Sequence, residues 1–269
     1  MSHSDFNFSN IELQKFKQDG FVHVKNLFPA TLIEEINQIV NKSNELKKAQ
    51  GVIFDNINEN KYLRYVPQPQ IKETKFNKLV NFNLLKIVNL ILEQEVYFSG
   101  IDLHCREAGS EIPTPPHQDS YLACFKDGFE HLVTCYISLT GMTKDSANLR
   151  FIKSSHLNPT MDHKKSLQRG FSSVIEEDQS FLSSDMLNNE EVIILEKGEC
   201  VFFHSKTIHY TNQTSKPSQK RASAAIRIAG YNAEYSDERK EIYKKNVEYN
   251  RTLSIKEGLA KNISKPQHS

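Results

Sequence analysis

Pro115-Pro116-His117-Gln118-Asp119-Ser120-Tyr121 is the stretch from which the rest of the chain is read. Side chains two apart along an extended strand point to the same face. A strand over residues 114–121 would therefore project His117 and Asp119 together and turn Gln118 the other way. Two imidazoles and one carboxylate can fill one face of a non-haem Fe(II) ion and leave the opposite positions open. The third ligand must come from elsewhere in the sheet, and Phe202-Phe203-His204-Ser205-Lys206-Thr207-Ile208-His209 offers two histidines. By itself H-x-D is a weak signal, because His3-Ser4-Asp5 is a second copy with no such company. The plain alternative for His117 is a turn histidine after two prolines, bonded to backbone. What strengthens the reading is Arg221. A turn-rich stretch over residues 212–218 would return it on the adjacent antiparallel strand, level with the metal region. Its planar fork suits a bidentate grip on a carboxylate co-substrate. Arg227 has the same parity and is its rival.

Working outward, the segments from about residue 94 read as strands separated by turns: 95–106, 114–121, 132–140, 149–152, 191–195, 200–210 and 221–229. Gly109, Gly141, Gly198 and Pro217 punctuate them. The first third reads differently. Residues 11–18 have helical spacing and stop at Gly20; 21–28 form a β-branched and aromatic strand; a helix capped at Thr31 carries Leu32, Ile33, Ile36, Ile39 and Val40; and a further helix covers 74–93. Helices first and short strands later predict an α+β domain built on a double-sheeted jelly roll. The insert between His156 and Leu187 is long enough to serve as a lid. The charged tail from Asn232 has helical spacing around Ile242, Tyr243 and Val247. One domain over residues 1–269 is expected, with helical support at about 10–93, the core at about 94–230 and a helical tail at 231–269.

Composition narrows the function. A net charge of +1 provides no field to draw in nucleic acid or an anionic membrane, so neither partner is expected. No run approaches the ~18 apolar residues of a membrane span, and the opening Met1-Ser2-His3-Ser4-Asp5-Phe6-Asn7 lacks the regions of a secretory signal. Cys105, Cys124, Cys135 and Cys200 show no C-x-x-C spacing and lie in apolar, strand-like segments. They read as small buried hydrophobes of a reducing cytoplasm. The sequence gives no reading of oligomeric state.

Several motifs recur in one order: Phe16-Lys17-Gln18-Asp19-Gly20-Phe21-Val22-His23-Val24, then residues 115–121, then Thr134-Cys135-Tyr136-Ile137-Ser138-Leu139, then residues 149–156, then residues 198–205 leading into His209, Asn212 and Arg221. In content and order they resemble the phytanoyl-CoA dioxygenase family, over roughly residues 13–230. The resemblance implies a double-stranded β-helix of the cupin-like, jelly-roll kind with flanking helices. It also implies Fe(II), 2-oxoglutarate as co-substrate and O2, with oxidation of a small-molecule metabolite and release of succinate and CO2. Carried over by position, it makes His117, Asp119 and His209 the metal ligands and the catalytic set, and leaves His204 structural. It directs Arg221 to the distal carboxylate of 2-oxoglutarate. Because Asp119 stands where related halogenases have a small residue, it implies hydroxylation over halogenation. The chain departs from the family at Ala147-Asn148, where a glycine is missing, and at Tyr210-Thr211, where the turn is usually smaller.

Further pocket candidates follow by parity. Thr211 shares the inward face of His209 and can offer a hydroxyl to the same carboxylate. Tyr136 stands where the resemblance implies an aromatic residue beside the co-substrate, with core packing as the alternative. Asp102, His104 and Arg106 share one face of the entering strand. Arg106 can meet the co-substrate or an anionic substrate, although an Asp102–Arg106 pair is the simpler expectation. Tyr121, Phe125, His163 and Arg169 are expected to line or cover the pocket, while His131 and His156 are read as loop or surface residues. The competing classes are a protein or nucleic-acid hydroxylase with the same ligands, a jelly-roll metal-binding sensor without turnover, and a zinc hydrolase, since the same three ligands also suit Zn(II).

Overall fold

The computed structural model describes residues 6–110, 113–168, 170–176, 180–211 and 219–258. The helices are α1 (Asn10–Asp19), α2 (Ala30–Lys42), α3 (Phe82–Leu92), α4 (Asp119–Leu122), α5 (Ser184–Asn188) and α6 (Asp237–Lys256). The strands are β1 (Phe21–Val24), β2 (Ile53–Ile57), β3 (Asn60–Pro67), β4 (Val96–Arg106), β5 (Leu132–Ser138), β6 (Leu149–Ile152), β7 (Lys164–Lys165), β8 (Ser173–Val174), β9 (Glu190–Ile193), β10 (Cys200–His204), β11 (His209–Thr211) and β12 (Arg221–Gly230). Seven strands form an antiparallel sheet in the order β1-β10-β5-β12-β4-β3-β2; β11-β6-β9 form a smaller one, and β7-β8 a ribbon.

Strict alternation along the strands builds two interiors from one sheet. On one face Ile101, Leu103, Val133, Cys135, Ile137, Phe202, Ala224 and Ile226 bury against Ile33 and Ile36 of α2 and Leu84, Ile87 and Val88 of α3. On the other, Tyr136, Val201, Phe203 and Ala225 meet Leu149, Phe151 and Ile193 of the small sheet. Two sheets closed over a shared interior, with helices on the outer face of the larger, make the double-stranded β-helix expected of the sequence. Among the described residues no helix is long and apolar enough to cross a membrane.

Local chemistry explains where the elements depart from expectation. The expected strand at 114–121 does not form. Pro115 and Pro116 have no N–H to give a ladder, only His117 makes a bridge, and Asp119 opens the one-turn helix α4. The expected strand at 200–210 splits, because residues 205–208 turn the chain from the large sheet into the small one. The helix expected at 74–93 breaks into a 3-10 segment, Thr74–Leu79, and α3. Asn81 caps α3, accepting from Leu84 N at 2.9 Å. The second helix starts at Ala30 after Pro29, without a side-chain cap from Thr31. The β2-β3 hairpin, which extends the large sheet beyond β4, was not anticipated. It turns on Asn58 and Glu59, both at positive φ (49° and 66°), in a two-residue loop that lacks the usual glycine signal.

Candidate metal centre and its pocket

His117 and His209 face each other as the two halves of one antiparallel bridge. Each backbone N–H donates to the other's carbonyl, at 3.2 and 3.1 Å, and the rings lie 4.1 Å apart. The ligand loop is thus an extra rung on the free edge of β11. Both Nδ1 atoms are taken by nearby carbonyls, His117 with Pro115 O at 2.8 Å and His209 with Thr207 O at 3.0 Å. That leaves both Nε2 atoms free. They stand 3.8 and 3.9 Å from Asp119 Oδ1, while Thr134 Oγ1 donates to Oδ2 at 2.7 Å. Donor atoms from all three residues lie within 4.8 Å of one another, and all three residues are buried. Two imidazole nitrogens and one carboxylate oxygen gathered this closely are a donor set that could hold one metal ion. The outer hydrogen bonds fix tautomer and ring orientation, as they do in established metal sites.

Electrostatics favour the ligand forms. Burial first, and then the neighbouring His209, push the His117 imidazole well below its ordinary value; burial likewise lowers His209. Burial works to raise the Asp119 carboxyl, but His209, Arg227, His117 and the Thr134 hydroxyl outweigh it and hold it low. Neutral imidazoles and an ionised carboxylate need lose no proton on metal binding near neutral pH.

Gln118 does point away from this cluster, and its role is to lock the loop. Its Nε2 donates to Lys206 O at 2.7 Å, its Oε1 accepts from Met161 N at 2.8 Å, and its backbone N–H donates to His163 Nε2 at 3.0 Å. His163 is therefore buried behind the ligands, stacked on Tyr121 at 4.2 Å, and neither residue lines the pocket as expected. His156 is also buried, not superficial: it bonds Lys17 O at 3.1 Å beside Gly20. Gly20 has φ +86°, and a Cβ there would meet His156 Nδ1 at 2.5 Å and Thr207 Oγ1 at 2.6 Å, so only glycine fits. His204 lies outside the cluster; its Nδ1 accepts from Lys206 N.

A cavity of about 560 Å³ opens beside the three residues. At one end Arg106 and Arg221 are direct cross-strand partners on β4 and β12, each 5% exposed. Like charges placed opposite one another are unfavourable. Burial, then Arg64 and Arg221, push the Arg106 guanidinium below its ordinary value. Arg106 Nη2 donates to Thr211 Oγ1 at 3.2 Å and to Thr114 Oγ1 at 3.3 Å. Arg221 Nη1 donates to Ala147 O, and Arg221 Nε is buried with no partner. Thr211 Oγ1 accepts from Arg106 and from Thr114 N at 2.7 Å, which leaves its own proton to donate. Tyr136 lines the same end and also packs in the inner core. Two buried cations, an orphaned N–H and a spare hydroxyl fit a carboxylate.

The expected Asp102–Arg106 pair is not made: Asp102 pairs with Arg227, and Arg106 goes to the two threonines. Phe125 lines the cavity as expected. Arg169, the turn at 212–218 and the His3-Ser4-Asp5 copy lie outside the described residues. Sequence reasoning missed Phe171, whose ring packs edge-on against His117 at 5.1 Å, and also Tyr65 and Tyr243 in the cavity wall. Phe171 belongs to the insert, and no periodicity marks it. Asn250 of α6 accepts from Gly170 N at 2.9 Å and donates to Gln168 O and Phe171 O, both at 2.7 Å, while Asn246 donates to Ser173 Oγ. Two buried asparagines four apart in a charged helix were the available signal.

Comparisons with known proteins follow the same lines. The family profile described as Phytanoyl-CoA dioxygenase (PhyH) matches residues 16–222. No curated protein sequence matches the chain. Among solved structures, the epimerase SnoN in complex with Fe3+, alpha ketoglutarate and nogalamycin RO aligns with TM-score 0.65 and 18% identity, over 84% of each chain. The alpha ketoglutarate dependent carbocyclase SnoK from nogalamycin biosynthesis gives TM-score 0.65 and 16% identity over 85% of this chain and 87% of that one. EctD from S. alaskensis, with 2-oxoglutarate and 5-hydroxyectoine, gives TM-score 0.66 and 15% identity over 86% and 79%. At these identities the likeness concerns the fold.

Proposed function

The chain belongs to the phytanoyl-CoA dioxygenase family of iron- and 2-oxoglutarate-dependent oxygenases, and on that premise we propose that its cavity oxidises a small-molecule metabolite, with His117, Asp119 and His209 as the metal ligands and Arg221 as the co-substrate anchor. The observation that carries the reading is the distribution of charge along one cavity: three buried ligands converge, and a facing pair of arginines lies beside them. Bound iron(II) with 2-oxoglutarate and O2 supplies the oxidising power, consumed as succinate and CO2 are released.

The protein's part is placement and exclusion of water. The His117–His209 bridge sets the two imidazoles, and Thr134 turns Asp119 so that Oδ1 faces the metal position. Arg221 and Arg106 hold the distal carboxylate of the co-substrate, and the Thr211 hydroxyl donates to it. Leu149, Phe203 and Tyr136 wall this end, and Phe171 covers His117. Walls that exclude water from this end would strengthen each charge-assisted contact. Asp119 supplies the third protein ligand and so favours oxygen insertion over halogenation. The epimerase and carbocyclase among the similar structures carry the reading beyond hydroxylation to other outcomes of hydrogen abstraction.

The helical support, the jelly roll and α6 are taken as one catalytic unit. The four cysteines are free and buried, which suits a reducing, cytoplasmic setting. The test is substrate-stimulated succinate release across a metabolite panel, using anaerobically purified protein of known iron content. Panel-independent silence from fully iron-loaded protein, or zinc as the metal that supports turnover, would overturn the proposal.

A further inference from the structure

The cavity has a second cationic end that co-substrate binding does not use. Arg221 and Arg227 share the inner face of β12, three same-face positions apart, which is ~20 Å of extended strand. A five-carbon diacid cannot join them. Arg227 is the cross-strand partner of Thr134, the residue that holds Asp119, so it lies on the far side of the metal position from Arg221. On β4 its partner is Gly100, which has no atom within 4 Å of where a Cβ would stand; the strand leaves open space there. Asp102 takes one nitrogen of the fork, and Tyr65 sits against Asp102. The Arg227 side chain remains 29% exposed although its whole strand face is turned into the cavity. The exposed part of the side chain therefore faces the cavity. Tyr65 and Tyr243 lie within reach of its charge, and with Phe125 and Phe171 they line the same cavity, an aromatic wall for an organic body.

Resting on the reading above, we propose that Arg227, oriented by Asp102, anchors a carboxylate of the substrate, and that the enzyme acts on small monocarboxylic acids with an apolar body. The chemistry is selective in two ways. A guanidinium whose position is fixed by one carboxylate offers its remaining N–H groups as a preset fork, which matches a planar carboxylate. Asp102 and Asp119 flank this one arginine, so little positive charge is spare, and a dianionic phosphate is less well matched than a monoanion. The anchor places the acid's body toward the metal position and away from the Arg221 end.

The experiment is anaerobic calorimetry on iron(II)-loaded protein saturated with 2-oxoglutarate, with benzoate, benzamide and phenyl phosphate as probes. Benzoate is expected to bind at least tenfold more tightly than the other two, a preference lost in Arg227→Gln. Because that variant leaves Asp102 buried and unpaired, the double variant Asp102→Asn/Arg227→Gln is measured beside it; it restores a neutral hydrogen-bonded pair and must lose the preference too. No benzoate binding at millimolar concentration, benzamide equal to benzoate, or a preference surviving in the double variant overturns the proposal. Tighter phenyl phosphate reassigns the anchor to phosphate esters and overturns the carboxylate. Failure of 2-oxoglutarate to bind, read in the same titrations, removes the oxygenase reading itself and is distinguished from these outcomes.

Discussion

Replacing Asn250 by alanine tests whether α6 holds the pocket closed. Asn250 is 5% exposed and satisfies three backbone groups of the insert: Gly170 N, Gln168 O and Phe171 O. Leaving a buried backbone group without its partner costs about 1–3 kcal/mol. Gln168 O keeps the Phe171 N–H at 3.3 Å and the Ser166 hydroxyl at 3.4 Å, so two groups lose their partner. Water entering the gap recovers part of this, and a net loss of about 3 kcal/mol for the two is expected. About 1.4 kcal/mol is a factor of ten, so the loop's closed state loses roughly a hundredfold in its equilibrium against the open one. Phe171 then leaves His117, and the metal site becomes wet. The assay is amide hydrogen exchange resolved to residues 166–174, with iron affinity measured in parallel. Exchange should accelerate by about a hundredfold in that segment while β4, β5 and β12 keep their protection. Asn246→Ala, which removes one bond to Ser173, should give a smaller effect in the same segment. If Asn250→Ala only lowers the melting temperature and local exchange stays within threefold of wild type, α6 is a passive prop and the reasoning fails.

Four further outcomes are expected. Asp119→Ala removes the carboxylate that both Nε2 atoms face, so metal affinity should fall by at least a hundredfold while circular dichroism is retained; undiminished metal occupancy refutes the ligand assignment. Arg221→Ala should weaken 2-oxoglutarate binding by about 3 kcal/mol, near a hundredfold, as a desolvated charge pair is truncated; a larger loss from Arg227→Ala would exchange the two arginines' roles. Burial lowers His104 to about 4 and His204 to about 3, so the unfolded chain takes up protons near pH 6.5 that the folded one refuses. Stability is therefore whole above that value and declines as the pH falls toward 4 and 3, by about 2 kcal/mol per histidine at pH 5; urea midpoints equal at pH 7.5 and pH 5 would contradict this. Gly20→Ala should cost about 3 kcal/mol, from left-handed backbone and from contact with His156 and Thr207, lowering the melting temperature by roughly 6–12 °C in calorimetry.

How far the sequence could be read depends on the range of the forces involved. The alternation in β4, β5 and β12 is local, so Asp102, His104 and Arg106 could be assigned one face and Ile101, Leu103 and Cys105 the other from the text alone. His204 and His209 differ in parity, and one reaches the cluster while the other does not. The H-x-D geometry succeeded for a different reason from the one that predicted it. No strand holds His117 and Asp119 together; the prolines forbid one, and a single bridge plus one helical turn gives the same convergence. Contacts between distant segments were not legible. The Asp102–Arg227 pair joins residues 125 apart, and Asn250 reaches Phe171 across 79, so neither leaves a periodic trace. The β2-β3 hairpin was hidden because asparagine and glutamate, not glycine, occupy its positive-φ turn.

The placement of charge on β12 explains how one strand serves two ends of a cavity. Its outward face is alanine and isoleucine, small enough at Ala222 and Ala224 for the large sheet to pack closely on the helices. Its inward face carries Arg221 and Arg227, with Ser223 and Ala225 between them in register. The two arginines are stabilised unequally. Arg227 has Asp102, a full counter-charge, and is structurally content without ligand. Arg221 has a carbonyl, an orphaned Nε and a facing Arg106, and is not. Removing buried charge from water costs several kcal/mol per ion unless a partner is supplied. The chain leaves that cost uncompensated at the Arg221 end, where a dicarboxylate co-substrate would arrive in every cycle. At the other end it compensates the charge in advance, where selectivity needs a fixed donor geometry more than raw attraction. An anion entering the cavity would therefore gain most at the Arg221 end, and with the proposed roles this difference would let one strand sort co-substrate from substrate without a separate gate.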